Sequence, residues 1–170
     1  MATATHVSLA EYLGTEYEPD CEYLDGAVEE RNVGKRKHSK TQALLAARLQ
    51  REIETGSFDV LVEQRVQLSS SKIRIPDICV IAAENKDEVI QNPPALWIEI
   101  LSPEDRWGRV QAKIDDCLRF GVEALWIIDP YSRQAWSATP RQAMTEVLGG
   151  KLTSEHPHLE IPLEEILPQD

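Results

Sequence analysis

Two short apolar runs, residues 73–82 (IRIPDICVIA) and 95–101 (ALWIEIL), each hold one carboxylate, Asp77 in the first and Glu99 in the second. Strand side chains alternate between faces, so Ile75, Cys79 and Ile81 oppose Ile78 and Val80, and both faces of the first run are apolar. A strand covered on both sides confines the chain to a layered fold with a central sheet. In the second run Leu96, Ile98 and Ile100 share one face, while Trp97 and Leu101 flank Glu99 on the other. An ionised carboxylate in such a strand is costly unless a cation balances it, and two on successive strands call for a shared reason. A bound divalent cation is one; a structural ion pair is the other, with Arg74 and Arg65 as candidate partners. Hard oxygen donors suit Mg²⁺ or Mn²⁺. Zinc is disfavoured, because His6, His38, His156 and His158 are scattered and Cys21, Cys79 and Cys117 fall in no paired spacing. The cysteines read as reduced, with Cys79 and Cys117 filling the core.

The surrounding pattern is that of one domain over residues 1–170, in which 1–37 form an N-terminal helix and hairpin addition, 38–130 the core and 131–170 a C-terminal hairpin and tail. A short helix is expected around residues 9–13, followed by a hairpin with Asp25-Gly26 as its turn. Leu45, Leu49 and Ile53 recur every four residues and predict an amphipathic helix over about 38–54, stopped by Thr55-Gly56. Strands are expected at 60–68, 73–82 and 95–101, joined by connections short enough for antiparallel neighbours. Val110, Ile114, Cys117 and Leu118 make one stripe of a helix over 107–120 that ends at Gly121. A last core strand follows at 124–128.

No apolar run approaches the roughly 18 residues of a membrane span, and the opening Met1-Ala-Thr-Ala-Thr-His lacks a basic region and an apolar core. The expectation is a cytoplasmic protein. Its net charge of −11 opposes phosphate binding at first sight. The charge is concentrated at the ends, however: residues 1–30 carry eight acids and no Lys or Arg, and residues 151–170 carry five acids against Lys151, leaving the middle at +1. Arg31, Lys35, Arg36, Lys37 and Lys40 are basic points there, so a nucleic-acid partner is neither required nor excluded. Eight acids without a base would repel phosphates, so the hairpin is expected away from any DNA path or covering an oligomer contact.

Pro76-Asp77, Glu99-Ile-Leu and a helix carrying Lys113 resemble the PD-(D/E)xK nuclease superfamily, whose core is similar to the helix, three strands, helix, strand order read here. Cys21-Glu-Tyr-Leu-Asp-Gly, Arg74-Ile-Pro-Asp-Ile-Cys-Val, Ile98-Glu-Ile-Leu-Ser-Pro, Lys113, Phe120-Gly-Val and Trp126-Ile-Ile-Asp-Pro resemble, over nearly the whole chain, the bacterial Uma-type family of restriction-endonuclease-like proteins. The resemblance implies an α/β (α+β) restriction-endonuclease-like core with a mixed central sheet. It implies a Mg²⁺- or Mn²⁺-dependent endonuclease acting on DNA, with Asp77, Glu99 and the Ile100 carbonyl on the metal. The superfamily's lysine two positions after the Glu is Leu101 here, and Lys113 takes that role by resemblance to the Uma-type family. On the helix Lys113 lies at the edge of the apolar stripe, about 85° from its centre. Arg109, one turn earlier, is its substitute. Glu63, Glu22 and His38 stand at positions that resemblance would bring near the metal; alternation and position alone read them as a solvated strand face, a packing residue and a helix cap. The competing reading is a catalytically silent nuclease-fold module whose acidic ends bind a partner or a second copy as a homodimer.

Overall fold

The computed structural model describes residues 6–32, 34–53 and 56–168. Two expectations fall partly outside these residues: the leaderless start at Met1–Thr5, and the helix end at Glu54 with its stop at Thr55. The chain runs α1 (Leu9–Leu13), β1 (Cys21–Leu24), β2 (Ala27–Glu30), α2 (Arg36–Glu52), β3 (Phe58–Val62), β4 (Val66–Ser69), β5 (Lys72–Arg74), β6 (Ile78–Ala82) and β7 (Leu96–Ile100). It continues through α3 (Trp107–Phe120), β8 (Ala124–Asp129), β9 (Gln134–Thr139), β10 (Gln142–Glu146), β11 (Lys151–Ser154), β12 (Leu159–Pro162) and α4 (Leu163–Ile166). No helix among the described residues is long and apolar enough to cross a membrane.

The fold is mixed α and β around a six-stranded sheet of order β10-β9-β8-β7-β6-β3. Only β7 and β8 are parallel in it, and α3 is the crossover between them. The other pairs are antiparallel, including β3 with β6 and β6 with β7, as their short connections require. Both faces are covered, which explains the apolar runs. On one face Leu45 and Leu49 of α2, the β11–β12 hairpin and α4 pack on Ile78, Val80, Leu96, Ile98 and Ile100. On the other, Val110, Ile114 and Cys117 of α3 pack on Cys79, Ile81, Trp97, Leu125 and Ile127. Cys79 and Cys117 are free and buried, and burial pushes the Cys79 thiol up to about 12, so both act as core filler. The α3 stripe and its stop at Gly121, left-handed at φ 109°, fall where the sequence puts them.

Two expected strands are each broken in two. Residues 60–68 divide at Glu63, whose φ of 52° turns the chain from β3 in the large sheet to β4 in a second, four-stranded sheet of order β2-β1-β5-β4. Residues 73–82 divide between β5 and β6, where Pro76 has no amide hydrogen to give a ladder. Within these two runs the chain thus crosses from one sheet to the other twice. Asp77 stands at the second crossing, one residue before β6, rather than within a continuous strand.

Candidate functional site

The register of β6 and β7 decides the site. Ile78 faces Ile98, so the next antiparallel pair outward is Asp77 opposite Glu99, both on the side of the sheet that carries α3. The two acids lie side by side at the ends of neighbouring central strands, as their isolation in the sequence implies. Asp77 Oδ2 accepts the Ile100 amide at 2.6 Å, which ties the crossing to the end of β7. Asp77 Oδ1 faces the Arg31 guanidinium at 3.1 Å and His38 Nε2 at 3.3 Å. Burial raises the Asp77 carboxyl, but the His38 hydrogen bond and the charges of His38 and Arg31 outweigh it and hold the group below its ordinary range. Glu99 Oε1 accepts from Trp97 Nε1 at 2.6 Å and lies 2.7 Å from Lys113 Nζ. Burial pushes its carboxyl up to about 7 despite Lys113, with the negative charges of Asp77 and Glu22 adding to the rise.

Lys113 is no solvated helix-edge lysine. Its ammonium is buried among Glu99, Glu22 Oε1 at 2.8 Å and the Ile75 carbonyl at 2.9 Å. Burial lowers its pKa, and the two carboxylates more than restore it, so the amine stays charged. Glu22 comes from the N-terminal hairpin, where β1 pairs with β5 and so delivers its side chain beside the 75–77 segment. Its other oxygen takes Arg74 at 2.8 Å, and Oε1 also accepts the Ile75 amide at 3.0 Å.

His38 and Gln42, one turn apart on α2, both point at Asp77. Gln42 Nε2 donates to the Asp77 carbonyl at 2.9 Å and to Glu63 Oε1 at 2.7 Å, and Arg31 bridges Glu63 to Asp77. Gly34 packs over the imidazole so closely that a Cβ there would come within 2.5 Å of His38 Nδ1. Glu63 therefore joins the cluster from its rim. Arg109 lines the same cleft from its rim, exposed and paired with Glu29. Arg31 and Gln42 escape the sequence reading, the first noted only as a basic point; the i, i+4 spacing of His38 and Gln42 is the one signal that could have found the second.

Three expectations need correction. Arg74 and Arg65 do not neutralise the strand acids: Arg74 binds Glu22 and Asp116, and Arg65 binds Asp20 at 2.8 Å, because β4 and β5 belong to the other sheet. The acidic hairpin does not lie away from the site. Glu22, Glu30, Arg31 and Asn32 line the cleft that holds Asp77, Glu99, Ile100 and Lys113, a hollow of about 100 Å³. Nor are Glu22 and His38 a mere packing residue and helix cap, since each contacts a central charged group of that cleft.

A family model described as "Putative restriction endonuclease", Uma2, matches residues 9–168. The chain belongs to the Uma2 family. A crystal structure from Anabaena variabilis ATCC 29413, described as "a putative nuclease belonging to DUF820", matches with a TM-score of 0.76 at 22% identity, covering 95% of this chain and 97% of that one. This likeness establishes a shared fold. No match was found among curated proteins. Within the Uma2 fold described here, the cleft offers two strand-end carboxylates, a buried ammonium and a guanidinium. Among the described residues no three His, Cys, Asp or Glu side chains form a ready ligand set.

Proposed function

We propose that the protein is a divalent-metal-dependent endonuclease that hydrolyses phosphodiester bonds in DNA, with Asp77, Glu99 and the Ile100 carbonyl as the oxygen donors to Mg²⁺ or Mn²⁺. The observation that carries this reading is the pairing of Asp77 with Glu99 across β6 and β7, with Lys113 on Glu99. The donors suit such an ion in being hard oxygens, and burial holds Glu99 up at about 7 even with Lys113 at 2.7 Å. A bound ion would supply a Lewis acid that polarises a phosphoryl oxygen and makes water more acidic.

The chain's own residues do the rest. Lys113 keeps its proton beside Glu99 and offsets negative charge building on phosphorus, or orients the attacking water. Glu22 and the Ile75 carbonyl hold that ammonium in place. His38 and the Ile100 amide fix the Asp77 carboxylate. The described residues hold one such centre, so cutting both strands of a duplex in a single encounter calls for two copies, and a homodimer enters the proposal with double-strand cleavage.

The test is Mn²⁺ titration calorimetry on wild type and Asp77→Ala, with plasmid nicking alongside. A binding isotherm lost in the variant and cation-dependent nicking by wild type support the reading; neither in wild type removes it. One observation favours a second reading, the silent module: both Asp77 oxygens already take donors from the protein, so the fold needs no metal to satisfy them. A chain that neither binds Mn²⁺ nor nicks DNA yet melts cooperatively would establish it.

A further inference from the structure

Beside the carboxylate cleft a second hollow, of about 380 Å³, opens between the loop after β7 and the start of α3. The two share Leu101, Ser102, Asp105 and Val110 as walls and so form one groove. Where the first hollow is ionic, the second is aromatic. Trp107, the first residue of α3, meets Trp136 of β9 edge to face, with ring centroids 5.5 Å apart and planes at 62°. Trp136 packs on the core beneath, whereas Trp107 leaves 47% of its surface exposed. The other two tryptophans, Trp97 and Trp126, are fully buried, so Trp107 is set apart from the core. Tyr131 also lines the hollow, and its hydroxyl is buried with no hydrogen-bond partner.

Each feature costs the isolated protein something that a ligand would relieve. An exposed indole is a stacking platform, and a buried hydroxyl without a partner is satisfied by the polar edge of whatever enters. The acids on the wall are not bare acceptors. Asp129 accepts from the Tyr131 and Ser132 amides and the Ser132 hydroxyl, and Asp105 accepts from the Ser102 amide and Asn32 at 2.7 Å each. Exposed Arg106 precedes α3 and sets one cation beside exposed Glu104 and Asp105 at the rim.

We propose that this hollow is a subsite for a nucleobase turned out of its stack, on the strand whose phosphodiester lies at Asp77 and Glu99. The proposal rests on the nuclease reading above and adds the form of the substrate: a single strand, or a duplex from which one base is flipped. Every base has a π face for Trp107, and its edge carries donors and acceptors for the Tyr131 hydroxyl. A base stacked and paired within a duplex has its faces and its Watson–Crick edge occupied and cannot enter the hollow.

The test uses the full chain in Mn²⁺ with a short phosphorothioate oligodeoxynucleotide, either single-stranded or closed in a hairpin, and reads anisotropy, tryptophan emission and the Mn²⁺-induced melting shift. Expected are quenching of emission on binding and at least about a five-fold loss of affinity in Trp107→Ala, with most of it restored in Trp107→Phe. Tyr131→Phe should narrow the affinity differences among homopolymer strands. The metal-induced shift should be unchanged in all three variants, because none touches the carboxylates. Dependence on Trp107 with the single strand alone identifies an unpaired strand, and with the hairpin as well, a flipped base. Trp107→Ala that binds DNA as tightly as wild type, with the metal shift intact, overturns the subsite and leaves the nuclease reading standing. Failure of that reading shows differently, as no metal shift and no nicking by wild type, and the subsite then falls with it.

Discussion

Lys113 Nζ lies 2.7 Å from Glu99 Oε1, although the position two residues beyond Glu99, where the superfamily pattern resembled here carries its lysine, is Leu101. The ammonium arrives from α3 on the neighbouring layer and is held from behind by Glu22. Lys113 thus brings a positive charge to the strand end from a helix, with Glu22 fixing its ammonium there. Leu101 itself packs against the apolar cluster under α3.

Lys113→Met should therefore lower cation-dependent nicking by about a hundred-fold or more, the usual scale for removing one preorganised charge from such a site. Lys113→Arg should recover only part, since a guanidinium does not fit between Glu22 and Glu99 as an ammonium does. Mn²⁺-induced stabilisation should survive both, because the oxygen donors remain. Rate measurements paired with melting curves check this, and wild-type nicking by Lys113→Met would reduce the lysine to a structural role.

Glu22 gives a pH dependence with a definite sign. Burial raises its carboxyl, but Lys113, Arg74 and the Ile75 amide pull it down to about 2 from its ordinary 4.5. A depressed folded pKa means the folded state binds the proton less tightly than the unfolded chain. The resulting stability is present above pH about 4.5 and is lost as the pH falls toward about 2, on the order of 3 kcal/mol in all. Denaturant melts of wild type and Glu22→Gln between those limits should converge as the pH falls. Parallel curves would show that the pair contributes no linkage.

How far the sequence carried depended on whether a residue's role was local. The α3 stripe from Val110 to Leu118 and its glycine stop follow from spacing alone, and the structure starts and ends that helix at the expected residues. Asp77 and Glu99 announced themselves as lone acids in apolar runs. The breaks at Glu63 and Pro76 did not, because both halves of each run have strand composition and alternation does not reveal a change of sheet. Arg31 was hidden for the opposite reason: it lies 46 residues from Asp77, and only the pairing of β1 with β5 folds the hairpin onto the site. The same pairing explains why an acidic segment that ought to repel phosphates lines the cleft: Glu22 is consumed by Lys113 and Arg74, and Glu29 by Arg109.

Arg31 stands where a metal ion would compete with it. Its guanidinium contacts Asp77 and Glu63, and although burial lowers its pKa, the charges of these acids raise it well above the ordinary value. Arg31→Ala should lower stability in chelator by about 1 to 3 kcal/mol, since buried Asp77 loses a charged partner that contacts it directly. The same variant should bind Mn²⁺ more tightly, because the ion no longer displaces a cation from Asp77. Calorimetry checks the second effect; unchanged or weaker affinity would show that Arg31 assists the ion rather than competing with it.

Glu99→Gln separates a metal-binding acid from a core ion pair most sharply. In chelator the wild-type carboxyl is raised to about 7 by burial, with Asp77 and Glu22 adding to the rise, so replacing it with an amide of the same shape removes a charge the site disfavours. Lys113 keeps Glu22 and the Ile75 carbonyl, so its ammonium is not left alone. The variant should then melt close to wild type, whereas breaking an ordinary buried ion pair costs about 3 to 5 kcal/mol. Mn²⁺ reverses the ranking. An ion at roughly a hundred times its dissociation constant adds about 2.7 kcal/mol to wild type, which in a chain of 170 residues is roughly 5 to 10 °C. Glu99→Gln should gain almost none of that and should not nick DNA. A variant that melts far below wild type in chelator, with no cation response in either protein, would make Glu99 and Lys113 a structural pair and leave the fold as a scaffold.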